Sequence, residues 1–174
     1  EYKKEQTQEL DMASQPNMLY HDACLIIEQA KAVAFKAVND TLIKRNWLLG
    51  MRIQHEVLKD KRAGYGQQVI KSLAKALSQR YGEGFTKTNL YNYVSFYQSW
   101  PNFFHAASGK LKNDSENNIF HAMSGKYENL ISTLCPLYPI RLTWTHYRII
   151  LQESSADART WYENEAANEM WSTR

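Results

Sequence analysis

From Asp22 to Arg62 the chain runs without a proline, and Gly50 is the only glycine in that stretch. Short strands need frequent turn residues, so a run this long without them reads as helix. Ile26, Ala30, Val33 and Ala37 form one apolar stripe at i, i+4, i+7 spacing, and Ile43, Trp47, Gly50, Ile53 and Val57 form a second. At 100° per residue the second stripe is rotated by roughly half a turn from the first. Either the helix breaks near Asp40 or one long helix passes between different neighbours. No glycine or proline sits at the crossover, which favours the long helix.

The remaining composition agrees. The 174 residues suit one domain or two very small ones, with 44% hydrophobic residues and only seven glycines and four prolines. That balance points to a mainly α fold. A formal net charge of +3 is compatible with nucleic acid without demanding it, so any such contact has to come from a local basic patch. Cys24 and Cys135 supply neither a disulfide framework nor a metal quartet and read as reduced thiols of a cytoplasmic protein. No apolar run approaches the roughly 18 residues of a membrane span, and no signal-peptide pattern is visible. The chain opens on Glu1 rather than Met, the mark expected of a piece of a longer protein.

Residues 1–20 are polar, lack periodicity and contain Pro16, so a flexible arm is expected ahead of a helical domain over 21–174. The turn "KDKRAGYG" precedes an amphipathic helix over 67–81. Val69, Ile70, Leu73, Leu77 and Tyr81 are expected to face inward there, with Gln68, Lys71, Lys75 and Ser78 facing out. Gly82 and Gly84 end that helix, and Thr86 is placed to cap the next, with Phe85 before it as half of a hydrophobic staple. A polar insertion occupies about 102–138. It holds the loop "SGKLKNDSENN", a short helix near 120–134 and an extended run around "LYPIRL". Thr143 then caps a helix through Leu151, and another starts at about Ser155.

On the 87–99 helix, Leu90, Val94 and Tyr97 face inward, flanked by Tyr93 and Trp100. Thr88, Asn92, Ser95 and Ser99 point the other way, with Lys87 and Tyr91 on the shoulders. Two helices joined by a glycine-containing turn have the layout of a helix-turn-helix, whose second helix offers its first residues to base edges. Asn can pair bidentately with adenine, Lys and Thr can meet a phosphate or a base edge, and the helix start itself suits a phosphate. Tyr91, Tyr93, Phe96 and Tyr97 could stack single-stranded bases, but the core needs two or three of them. Trp171-Ser172-Thr173-Arg174 repeats the aromatic, hydroxyl and basic pattern of Phe85-Thr86-Lys87, so a further helix is expected beyond it.

Other chemistries find little support. His21, His55, His105, His121 and His146 lack ligand spacing, and His146 reads as a packing or hydrogen-bonding residue. Glu163, Glu165 and Glu169 read as one wet helix face. No metal, cofactor or small-molecule substrate is expected.

Five segments, "NWLLGMRI", "GYGQQVIKSLAKAL", "GEGFTKTNLYNYVSFY", "LTWTHYRIIL" and "ARTWYENEAANEMWSTR", together resemble the N-terminal domain of the YhcG-type proteins. These are bacterial proteins with a C-terminal PD-(D/E)XK nuclease domain. The resemblance runs from about residue 25 to the end, interrupted by the 102–138 region. It implies a helical, winged or plain helix-turn-helix module that binds duplex DNA and delivers a separate metal-dependent nuclease domain, absent from this chain. Family members carry arginines on the helix after the cap, where this chain has Tyr91, Asn92 and Val94. Phosphate neutralisation then falls to Lys71, Lys75, Arg80 and Lys87, which join Thr88, Tyr91, Asn92 and Ser95 as the candidate DNA-binding set. A PD-(D/E)XK site needs an Asp and an acidic-x-Lys on adjacent strands. No such pair is evident, so no catalysis is expected of this chain. The alternative is a protein-interaction or dimerisation domain of a restriction or defence assembly, formed as a homodimer through a stripe of the long helix that lacks an internal partner.

Overall fold

A computed structural model describes residues 2–58, 64–106, 134–136 and 139–173. The described residues are mainly helical. Helix α1 spans Tyr2–Leu58, α2 Tyr65–Tyr81, α3 Lys87–Ser99, α4 Trp144–Ile150 and α5 Ala156–Asn168, with a 3-10 turn at Glu83–Phe85. Strands β1, Phe104–Ala106, and β2, Leu134–Pro136, form an antiparallel pair with His105 opposite Cys135. The chain divides into two units, Glu1–Asn39 and Asp40–Arg174.

No break occurs near Asp40, in keeping with the absence of helix-breaking residues there. Residues 2–20, where a flexible arm is expected, are part of helix α1. Their Glu, Gln, Lys, Met and Leu content supplies helix propensity where periodicity is missing. The turn residues 59–63 lie outside the described set.

In the first unit the apolar stripe of α1 is exposed: Ile26 is 66% and Val33 70% accessible. Ala30 and Ala37 of the same stripe are exposed as well. The second stripe behaves oppositely. Ile43, Trp47, Gly50 and Ile53 are buried in the second unit, and Val57 is half-buried.

That unit has two apolar clusters. One gathers Ile43, Trp47, Met51, Phe96, Tyr97, Phe104 and Tyr147 with residues of α4 and α5, and the other gathers Ile53, Ile70, Ala74, Leu90, Tyr93 and Val94. Trp47 is central: its ring meets Tyr97 and Phe104 edge-on, and its indole N–H donates to the Trp100 carbonyl at 2.9 Å. Edge-to-face aromatic contacts of this kind add to simple burial. Gly50 lets α1 and α3 touch backbone to backbone. A Cβ there would lie 1.9 Å from the Tyr93 carbonyl oxygen, so no larger residue fits without the helices parting.

The polar insertion is closed at its base by the β1–β2 pair, so its ends are joined by strand hydrogen bonds rather than left as loop. The expected "SGKLKNDSENN" loop and most of the 120–134 helix lie outside the described residues. In "LYPIRL", Ile140 and Leu142 are buried while Arg141 is exposed, the alternation of an extended segment. Helix α4 starts at the expected cap Thr143, and α5 starts after Ser155, whose hydroxyl accepts from the Ala158 N–H.

Candidate functional site

The segment from α2 to α3 is built around its turn. Gly82 ends α2 with φ 88° and ψ −168°, a backbone conformation open only to glycine, and its N–H donates to the Ser78 carbonyl. Gly84 is the anchor of the turn. Its carbonyl accepts from Asn89 Nδ2 at 3.1 Å and from the Tyr93 hydroxyl at 2.9 Å. Asn89 Nδ2 also reaches the Glu83 carbonyl at 3.4 Å. Burial raises the Tyr93 pKa, an effect partly offset by the nearby Arg45 cation, so the phenol stays a proton donor. Thr86 caps α3 as expected, accepting from the Asn89 N–H. Phe85 joins the cluster containing Leu90, the pairing of a hydrophobic staple. From α1, the Arg45 guanidinium lies 5.1 Å from the centre of the Phe85 ring and donates twice to the Asn46 side-chain oxygen. Side chains from three elements therefore fix the start of α3.

Lys71 and Lys75 are exposed on α2, one position beyond the buried Ile70 and Ala74. Arg80 is exposed with its guanidinium 5.3 Å from the Tyr81 ring centre. On α3, Lys87, Thr88 and Tyr91 are exposed, and Lys87 Nζ lies 5.8 Å from the Tyr91 ring centre. Lys87 and Tyr91 are the pair this geometry brings together. Asn92 and Ser95 are half-buried, so the outward face of α3 centres on Lys87 and Tyr91 rather than on Asn92. Tyr93, Phe96 and Tyr97 are buried, which removes them as a base-stacking platform. One inward and one outward assignment on α2 also change. Tyr81 is 59% exposed because the chain turns away at Gly82, and Ser78 is half-buried.

A signal that residue-by-residue inspection missed is the distribution of acids. Between Tyr65 and Ser99, Lys71, Lys75, Arg80 and Lys87 face a single acidic residue, Glu83. Four cations against one anion give this segment a formal +3, equal to the formal charge of the whole chain. Among the described residues, Lys71, Lys75 and Lys87 make no ion pair. Neither α2 nor α3 has an acid in its first turn to oppose an approaching anion.

The acidic face of α5 is not uniformly wet, which corrects the expectation for Glu163. Its carboxylate is partly buried and accepts from Trp100 Nε1 at 2.8 Å and from the Tyr147 hydroxyl at 3.3 Å. Desolvation raises the Glu163 pKa against the opposing effect of these two bonds. Burial, then the Glu163 charge, raises that of Tyr147. Beside this carboxylate a cleft of about 850 Å³ is bounded by Trp100, Phe103, Arg141 and Thr160. Arg141 donates to the Ala167 carbonyl and the Asn168 side chain, so both charged groups of the cleft hold structural elements together. His146 does the hydrogen-bonding work expected of it. Nδ1 accepts from the Thr143 N–H, so the ring proton lies on Nε2 and is donated to the Trp171 carbonyl at 2.9 Å. Among the described residues no group of His, Cys, Asp or Glu is arranged to hold a metal ion, and no helix is long and apolar enough to cross a membrane.

Fold and site together define a helical module whose acid-poor α2–α3 segment is fixed on a long first helix. The chain belongs to the DUF1016 N-terminal domain family, whose profile matches residues 22–174. It is 29% identical over 161 residues to "Putative nuclease YhcG" of Escherichia coli (strain K12), covering 88% of this chain and 42% of that protein. The YhcG-type resemblance seen in the five segments therefore holds along most of the chain. The chain spans less than half the length of this relative. No solved structure shows a significant match.

Proposed function

We propose that this chain is a DNA-binding module of helix-turn-helix type that positions a nuclease domain carried elsewhere in a longer protein. The observation that carries the reading is the concentration of positive charge on the exposed positions of α2 and α3, beside an α3 N-terminus fixed by its turn. Duplex DNA presents a dense row of phosphates, and cations without internal ion pairs gain by displacing its counterions. Lys71, Lys75, Arg80 and Lys87 supply that contact in this reading, and Thr88, Tyr91, Asn92 and Ser95 border the groove. The similarity to a protein named as a nuclease supports the second half of the proposal. The chain itself is proposed to be non-catalytic.

Anisotropy titration of a labelled duplex at several salt concentrations tests this. Each neutralised phosphate contributes a slope of about −0.9 in log affinity against log salt, so four contacts give about −3.6. Absence of salt-dependent binding at low ionic strength would reject the reading. A protein-interaction role is the second reading, and the exposed apolar residues of α1 favour it.

A further inference from the structure

Between Leu19 and Ala37, α1 carries a seven-residue repeat. Leu19, Ile26 and Val33 hold one position of it, and Ala23, Ala30 and Ala37 hold the position four residues further on. Alternating steps of four and three form the seam of a coiled coil. All six side chains are exposed, Leu19 at 73%. Tyr20 and Ile27, also exposed, widen the seam on the alanine side. Asp22, Gln29 and Lys36 border it on the other side, again seven residues apart.

We propose that this seam joins two copies of the chain, their helices antiparallel about a two-fold axis level with Glu28. Ile26 then packs against Ala30 of the other copy, Ala23 against Val33, and Leu19 against Ala37. Each branched side chain meets an alanine, which lets the helices approach to the close end of the usual 8–10 Å spacing. The charges select this direction. In an antiparallel pair the flanking row faces its own counterpart running the opposite way, so Asp22 lies opposite Lys36 at both ends and Gln29 faces itself. A parallel pair would set Asp22, Gln29 and Lys36 against Ile27, Ala34 and Thr41, so neither charge would meet an opposite one. One seam complements itself in both shape and charge, which is the requirement of a two-fold contact between identical chains.

Sedimentation equilibrium of the 174-residue chain over a dilution series reads the result. A dimer is expected. Ile26→Asp should give a monomer with unchanged circular dichroism, because Ile26 is exposed in the single chain. Phe35→Asp, on the opposite side of the helix, should leave the dimer intact. Asp22→Lys or Lys36→Asp should each weaken pairing roughly tenfold at low salt, since two rim pairs are lost together. The double exchange should restore it. Residues 22 and 36 are about 21 Å apart along one helix, so that restoration can arise only between chains. A monomer at every concentration, a dimeric Ile26→Asp variant, or a double exchange that stays weak would each overturn the proposal.

Discussion

Gly50→Ala is the most direct test of how the candidate site is held. The added methyl would lie 1.9 Å from the Tyr93 carbonyl oxygen, 2.6 Å from its carbon and 3.1 Å from Tyr97 Cβ. The two nearest atoms are backbone, so no rotamer change relieves the overlap and α1 must move away from α3. Overpacking in a core costs about 1–3 kcal/mol, occasionally more, and a contact this short belongs at the upper end. Alanine returns about 1 kcal/mol of helix propensity. The net loss expected is about 2 kcal/mol, which at a urea slope of about 2 kcal/mol/M lowers the unfolding midpoint by about 1 M. Two other glycines separate steric from backbone effects. Gly84→Ala enters open space without a positive φ and should stay within about 0.5 kcal/mol of the parent. Gly82→Ala also meets no neighbour, but its φ of 88° should cost about 1–3 kcal/mol through backbone strain alone. A Gly50→Ala midpoint at or above the parent's would refute the close-approach argument.

Thr86→Ala removes the cap on α3 and should cost about 1 kcal/mol in urea unfolding. If α3 meets DNA, Lys75→Ala or Lys87→Ala should weaken all duplexes alike and flatten the salt slope by about one unit in anisotropy titrations. Asn92→Ala should instead relax base preference, at about 1–3 kcal/mol on a preferred site. Because the folded Glu163 pKa is raised, its contribution is fully present below the unfolded value, near pH 4.3, and is lost as pH rises through the folded value. The stability difference between parent and Glu163→Gln should therefore move in favour of Gln as pH rises from 4 to 8; a pH-independent difference would show that Glu163 ionises as it does in the unfolded chain. Purified chain should show no divalent-metal-dependent cleavage of plasmid DNA, and activity abolished by EDTA would contradict that.

Local signals carried the parts of the fold that depend on neighbours in sequence. Thr86, Thr143 and Ser155 cap helices because a short hydroxyl before a helical run has few other uses. The Ile43-to-Val57 stripe identified its own buried face. The cover on Glu163 is not legible on its own helix because the donors that meet it, Trp100 and Tyr147, come from distant segments, and helix periodicity says nothing about them. The β1–β2 pair escaped notice for the same reason: three-residue strands separated by a long insertion leave no alternation to read. The candidate site residues follow from type and spacing. The scarcity of acids around them was equally present in the sequence, but it appears only when a segment is compared with the whole chain.

The tryptophans make this chain its own optical probe. Trp47 is enclosed, Trp100 and Trp144 are half-covered, and Trp161 and Trp171 are exposed at 54% and 44%. Emission should accordingly separate into a blue component resistant to acrylamide and a red one quenched by it. Trp100 adds a second use, because its indole N–H donates to the Glu163 carboxylate. When that carboxylate gains or loses its charge, the field across the excited indole changes, so the blue component should titrate with Glu163 while the chain stays folded.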